Sequence, residues 1–194
     1  MKKNIVVGIV LLLALFVLSS CKNEGNDQNT TINNNIVQIK EFEVSTQTLE
    51  SNTTAKGTVY IQNDDNSVDV TVVASVEIGK KDWGGVLFYI PEGWTVSNIL
   101  SSYPERNDLD MASNNVAVWN TADVESEWKS FVEIGRDRTY TPTGGGIGTV
   151  VLNLTCDEKT VKRDSLNLLV SVGSKEEDGK HIAEIASSLI EIDF

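Results

Sequence analysis

The residues of this chain that could carry chemistry are few, and most are acidic or aromatic. Asp64/Asp65, Asp108/Asp110 and Glu176/Glu177/Asp178 set carboxylates side by side. A carboxylate-dependent hydrolase needs two such groups facing each other across a cleft, about 5–10 Å apart; Glu92 with Asp108 comes nearest to that pattern. Calcium would use the same oxygens, best at Asn107-Asp108-Leu109-Asp110, but the rest of an EF-hand loop is missing and the stretch reads as a solvated turn. His181 is the single histidine, which leaves no spare base for a Ser-His-Asp arrangement and no multi-histidine metal site. Gly144-Gly145-Gly146-Ile147-Gly148 runs into a strand rather than a helix, so it reads as a flexible connection and not as a nucleotide loop. These features predict no catalytic residue, no bound metal and no cofactor.

The four tryptophans are the better candidates for contact with a ligand. In "WGGVLFYIPEGW", Trp83 precedes Gly84-Gly85 and sits beside Lys81 and Asp82, which predicts an exposed loop indole. Trp94 follows a Pro91-Glu92-Gly93 corner in phase with Val96, which predicts a core residue closing one end of the fold. Trp119 ends a strand and is also expected in the core, whereas Trp128 lies in the polar "VESEWKS". An exposed indole on a loop often marks a binding surface. Trp83 and Trp128 are therefore the candidate ligand-binding pair, as stacking platforms for a polysaccharide if they lie coplanar on one face.

The elements that must position these residues are strands. Val68, Val70, Val72, Ala74, Val76 and Ile78 alternate with Asp69, Thr71, Val73, Ser75 and Glu77, and period 2 means one buried face and one mostly wet face. Leu166, Leu168, Val170 and Val172 repeat the pattern. Further strands are expected over 37–44, 56–62, 86–90, 95–100, 116–119, 130–134 and 148–154. The tail alternates from Ala186 to Phe194, although 181–186 alone reads as a helical turn and 121–129 as a short helix or turn. Asn63-Asp64-Asp65-Asn66, Thr143-Gly144-Gly145-Gly146 and Lys175-Glu176-Glu177-Asp178-Gly179 supply turn chemistry between them. About nine strands without βαβ alternation predict an all-β chain with a single antiparallel β-sandwich.

Location is written at the start of the chain. Met1-Lys2-Lys3 is a short basic segment, and 5–18 is an apolar run of 14 residues. That is too short for a bilayer core of ~30 Å and right for the hydrophobic part of a signal peptide. The Leu18-Ser19-Ser20-Cys21 that follows resembles a bacterial lipobox. The resemblance implies a signal peptide over 1–20 and a mature chain that begins at a diacylated Cys21. Two acyl chains at ~0.8 kcal/mol per buried CH₂ are enough for stable attachment to the membrane. Residues 22–35, "KNEGNDQNTTINNN", cannot bury enough surface to offset ordering and read as a disordered tether reaching roughly 20 Å. The domain proper is expected over 36–194.

Two of the 16 basic side chains fall in the leader, leaving 14 against 28 acidic ones, a formal charge of −14 for the mature chain. Such a body repels nucleic acid and anionic lipid and suits solubility at a cell surface. With Cys21 acylated, Cys156 has no partner for a disulfide. Beside Asp157 and Glu158 it lacks the electropositive setting of a reactive thiol and reads as structural. An exported domain that holds together without disulfides suits the outer face of a Gram-positive cell membrane.

The order of strands, the long valine-rich second sandwich strand and "FYIPEGWTV" at 88–96 resemble the immunoglobulin-like and cohesin-like β-sandwich modules of bacterial surface proteins. The resemblance implies a non-catalytic binding or structural module whose partner is a polysaccharide or a surface protein.

Overall fold

The computed structural model describes residues 35–46, 51–64, 67–105, 115–123, 125–156 and 165–193. They form ten strands in chain order: β1 Ile36–Ser45, β2 Thr54–Asp64, β3 Ser67–Ile78, β4 Val86–Pro91, β5 Trp94–Ser101, β6 Val116–Asn120, β7 Trp128–Ile134, β8 Gly146–Cys156, β9 Ser165–Glu177 and β10 Lys180–Asp193. There is one more strand than the nine or so expected, because the tail is strand throughout. The 181–186 stretch lies inside β10, and the described residues of 121–129 contain no helix.

The strands make two antiparallel five-stranded sheets, β1-β2-β3-β8-β5 and β10-β9-β4-β7-β6. The alternation in β3 decides the first. Val68, Val70, Val72, Ala74, Val76 and Ile78 are all buried, and Val70, Val72 and Ala74 pair with Leu154, Leu152 and Val150 of β8. From the second sheet Val86, Phe88 and Ile90 of β4, Val132 and Ile134 of β7 and Leu166, Leu168, Val170 and Val172 of β9 join the same core. Phe42 meets Phe88 edge to face, 6.4 Å between ring centres, joining β1 to β4 across the interior. The fold is a β-sandwich.

The Pro-Glu-Gly corner has a definite job. It takes the chain from β4 in the second sheet to β5 in the first, with Gly93 at φ 84° making the turn. Trp94 then enters the core, 5% exposed. It pairs with Cys156, which is half-buried against the same cluster. The β9–β10 hairpin narrows to Asp178-Gly179, φ 51° and 73°, the positive-φ pair that matches the twist of its strands.

Candidate functional site

Two places on the domain gather side chains that could hold a ligand. The first is built on Asp82, in the connection from β3 to β4. Its buried carboxylate accepts hydrogen bonds from the hydroxyls of Thr53 and Ser174 and from the Gly84 N–H at 2.8 Å. Ser174 Oγ in turn accepts from the N–H groups of Trp83 and Gly84, both at 3.1 Å. This network ties the connection down onto β9. A Cβ on Gly84 would stand 2.4 Å from the Gly173 carbonyl oxygen, and one on Gly85, at φ 65°, would stand 2.2 Å from that of Ile134. The two glycines are there for close approach, not for looseness, and Trp83 is pressed inward with them. It is 6% exposed, which corrects the expectation of an exposed loop indole.

Trp83 forms the floor of a surface cavity of about 300 Å³. Its wall is a stacked pair, Tyr140 from the β7–β8 connection and His181 from β10, with ring centres 4.4 Å apart and planes within 2°. Both rings stand edge-on to Trp83, at 4.9 and 5.8 Å. Lys81, Pro142, Ser174, Lys175 and Glu176 complete the lining. Tyr140 is held at φ 64°, a left-handed conformation that costs a non-glycine residue about 1–2 kcal/mol. The Asp137 carboxylate holds the loop in that shape by accepting from Thr139 N–H and Oγ1 and from Thr141 N–H. The Thr139 hydroxyl, with the backbone bonds behind it, keeps the Asp137 carboxyl below the usual carboxylate range. The Asp137 N–H donates to the Trp83 carbonyl at 2.8 Å, joining the loop to the cavity floor.

The second place is the outer face of the β10-β9-β4-β7-β6 sheet. Register aligns Leu189 with Leu169, Leu169 with Tyr89, Tyr89 with Phe131 and Phe131 with Trp119. An apolar row thus crosses all five strands, roughly 19 Å at the usual strand spacing. Its ends are open, with Leu189 49% and Trp119 46% exposed. Trp128 packs edge-on against Tyr89 at 5.7 Å.

A polar chain borders the row. Arg138 donates to both oxygens of the buried Glu133, at 2.8 and 3.2 Å, and lays its guanidinium 4.1 Å over the Trp119 ring. Arg136 binds Glu184 at 2.9 Å, and Glu184 accepts from the Tyr89 hydroxyl. Glu184 stands in a bulge of β10 at φ 61°, which turns its carboxylate toward β4. Burial, reinforced by the Glu184 hydrogen bond and charge, pushes the Tyr89 phenol well above its ordinary value.

The expected ligand pair does not assemble. Trp83 precedes β4 at one end, while Trp128 pairs with Pro91 at the other, so each indole belongs to a different site. Trp119, expected in the core, lies on the outer face instead. Its strand is an edge of five residues with apolar side chains in both phases, so alternation could not say which face is buried. Glu92 is exposed at the β4–β5 corner. Asp108, Asp110 and Cys21 lie outside the described residues, as does Asp65. Among the described residues no group of three or more His, Cys, Asp or Glu side chains could hold a metal ion, and no helix is long and apolar enough to cross a membrane. Tyr140 carried no signal in the sequence, because only the folded loop brings it to His181.

No protein-family model matches the sequence, and no curated relative matches it. Among solved structures the chain is similar to one described as "Pore forming protein", at 6% identity and a TM-score of 0.33, covering 79% of this chain and 89% of that one. So loose a superposition carries no activity across.

Proposed function

We propose that this protein is an extracytoplasmic lipoprotein, held on the outer face of the cell membrane by acyl chains on Cys21, whose β-sandwich is a non-catalytic binding module. The observation that supports binding is the row Leu189, Leu169, Tyr89, Phe131 and Trp119, an apolar strip exposed at both ends and bordered by the Arg138–Glu133 and Arg136–Glu184 pairs. The strip and the neighbouring Trp128 suit a flat, extended partner, either a polysaccharide chain lying across the strands or the face of a surface protein. The likeness of "FYIPEGWTV" to immunoglobulin-like and cohesin-like surface modules supports the same class of function.

The two halves of the proposal are tested separately. Cys21→Ser should release the protein from the membrane fraction into the medium or leave it as unprocessed precursor. A mutant that is cleaved normally and stays on the membrane would remove the lipid anchor from the reading. Trp119→Ala should change stability by less than about 1 kcal/mol, as exposed positions do, while abolishing retention on the host cell's wall polysaccharide and surface-protein fractions. Undiminished retention in both fractions would reject the sheet face as the binding surface.

A further inference from the structure

The cavity over Trp83 lies apart from the open sheet face and differs from it in chemistry. We propose that it is a second binding site, built for a six-membered sugar ring that bears one anionic group. Three segments distant in sequence converge on it: Lys81 and Trp83 from the β3–β4 connection, Tyr140 from the β7–β8 connection, and Lys175, Glu176 and His181 from the β9–β10 hairpin. At about 300 Å³ it is at the small end of ligand cavities, which fits a single ring and not a chain.

Each part of such a ligand finds its counterpart. The apolar C–H face of a pyranose needs an aromatic plane, and Tyr140 supplies one. Its other face is taken by His181, yet the residue remains 50% exposed. Ring hydroxyls need an acceptor at the rim, and Glu176, paired across the hairpin with His181, supplies it. The anionic group needs cations. Lys81 makes no ion pair among the described residues, and Lys175 is shared only with the exposed Glu177, at 2.6 Å. Two ammonium groups on one small cavity stand out on a chain of formal charge −12, whose overall field would drive an anion away.

The wall is also set in advance. Tyr140 occupies its left-handed conformation through the Asp137 clamp, and the Asp82 and Ser174 network holds the Trp83 backbone in place. Backbone held in a sparsely populated region by its surroundings is a common mark of a ligand clamp.

Calorimetric titration of the full-length protein with methyl glucuronoside, glucose 6-phosphate, methyl glucoside and inorganic phosphate tests the assignment. At least one of the two anionic sugars should bind, and which one does so tells a carboxylate from a phosphate. Neutral glycoside and free phosphate should bind at least about tenfold more weakly, since a charge-assisted contact is lost in one case and the stacking in the other. Lys81→Met should weaken the sugar by about tenfold or more, whereas Lys56→Met, on the other sheet, should not. Tyr140→Gly removes the ring at a φ that glycine adopts freely, so it should fold normally and lose the same binding. Failure of both anionic sugars to bind, equal binding of the neutral glycoside or free phosphate, or indifference to Lys81→Met or Tyr140→Gly would overturn the proposal. Trp119→Ala leaves this cavity intact, so the outcome is independent of the sheet-face reading.

Discussion

Trp83→Ala should destabilise the protein by ~3–5 kcal/mol, about as much as Trp94→Ala, because each removes a buried aromatic side chain and leaves a cavity. The two indoles are 6% and 5% exposed. They are buried by different means. Trp94 belongs to the interior shared by both sheets, whereas Trp83 lies under Tyr140 and His181 at one edge of the sandwich. Against a domain stability of roughly 5–15 kcal/mol, either change should leave a chain that is folded only in part at ambient temperature. Urea unfolding of the two variants measures this directly. A Trp83→Ala protein within about 1 kcal/mol of the parent would mean that its loop, and the cavity above it, is not packed as described.

Asp82→Ala should have an effect of similar size for a different reason. Its carboxylate is the common acceptor for Thr53 Oγ1, Ser174 Oγ and the Gly84 N–H. Truncation leaves the two buried hydroxyls without an acceptor and the Gly84 N–H with only its 3.1 Å bond to Ser174 Oγ, and each unmet donor costs about 1–3 kcal/mol. A loss of ~3–5 kcal/mol is expected, in line with other broken buried charge networks. Asp82→Asn should cost less. Its carbonyl oxygen can still accept from Gly84 and Ser174, and its amide can donate to Thr53 Oγ1, which already accepts from the Gly79 N–H at 3.1 Å. Equal losses for Ala and Asn would show that charge matters more than hydrogen-bond count. A neutral Asp82→Ala would show that the network does not hold the β3–β4 connection. Thermal unfolding of the pair separates these outcomes.

The strands were legible because the pattern that makes them is local. A buried face on every second residue of β3, β8 and β9 is a property of consecutive side chains, and so is the sharp corner at Pro91-Glu92-Gly93. Trp94 followed from the same arithmetic, being in phase with Val96 on a strand whose direction the corner sets. Trp83 did not, because two adjacent glycines mean either freedom or contact. Only the Gly173 and Ile134 carbonyls, which lie far along the chain, show that here they mean contact.

Trp119 was undecidable for a related reason. A short edge strand with apolar residues in both phases has no intrinsic inside, and its partner β7 decides the matter by placing Phe131 and Glu133 on the open face. The sequence by itself therefore determined the class of fold, the strand positions and the corner that closes the core. The tertiary structure alone decided which indoles are wet, which row of side chains crosses the open sheet, and that Tyr140 and His181 meet over Trp83. The periodicity of a strand assigns side chains to two faces, but only the packing of the sheets decides which of those faces becomes the interior.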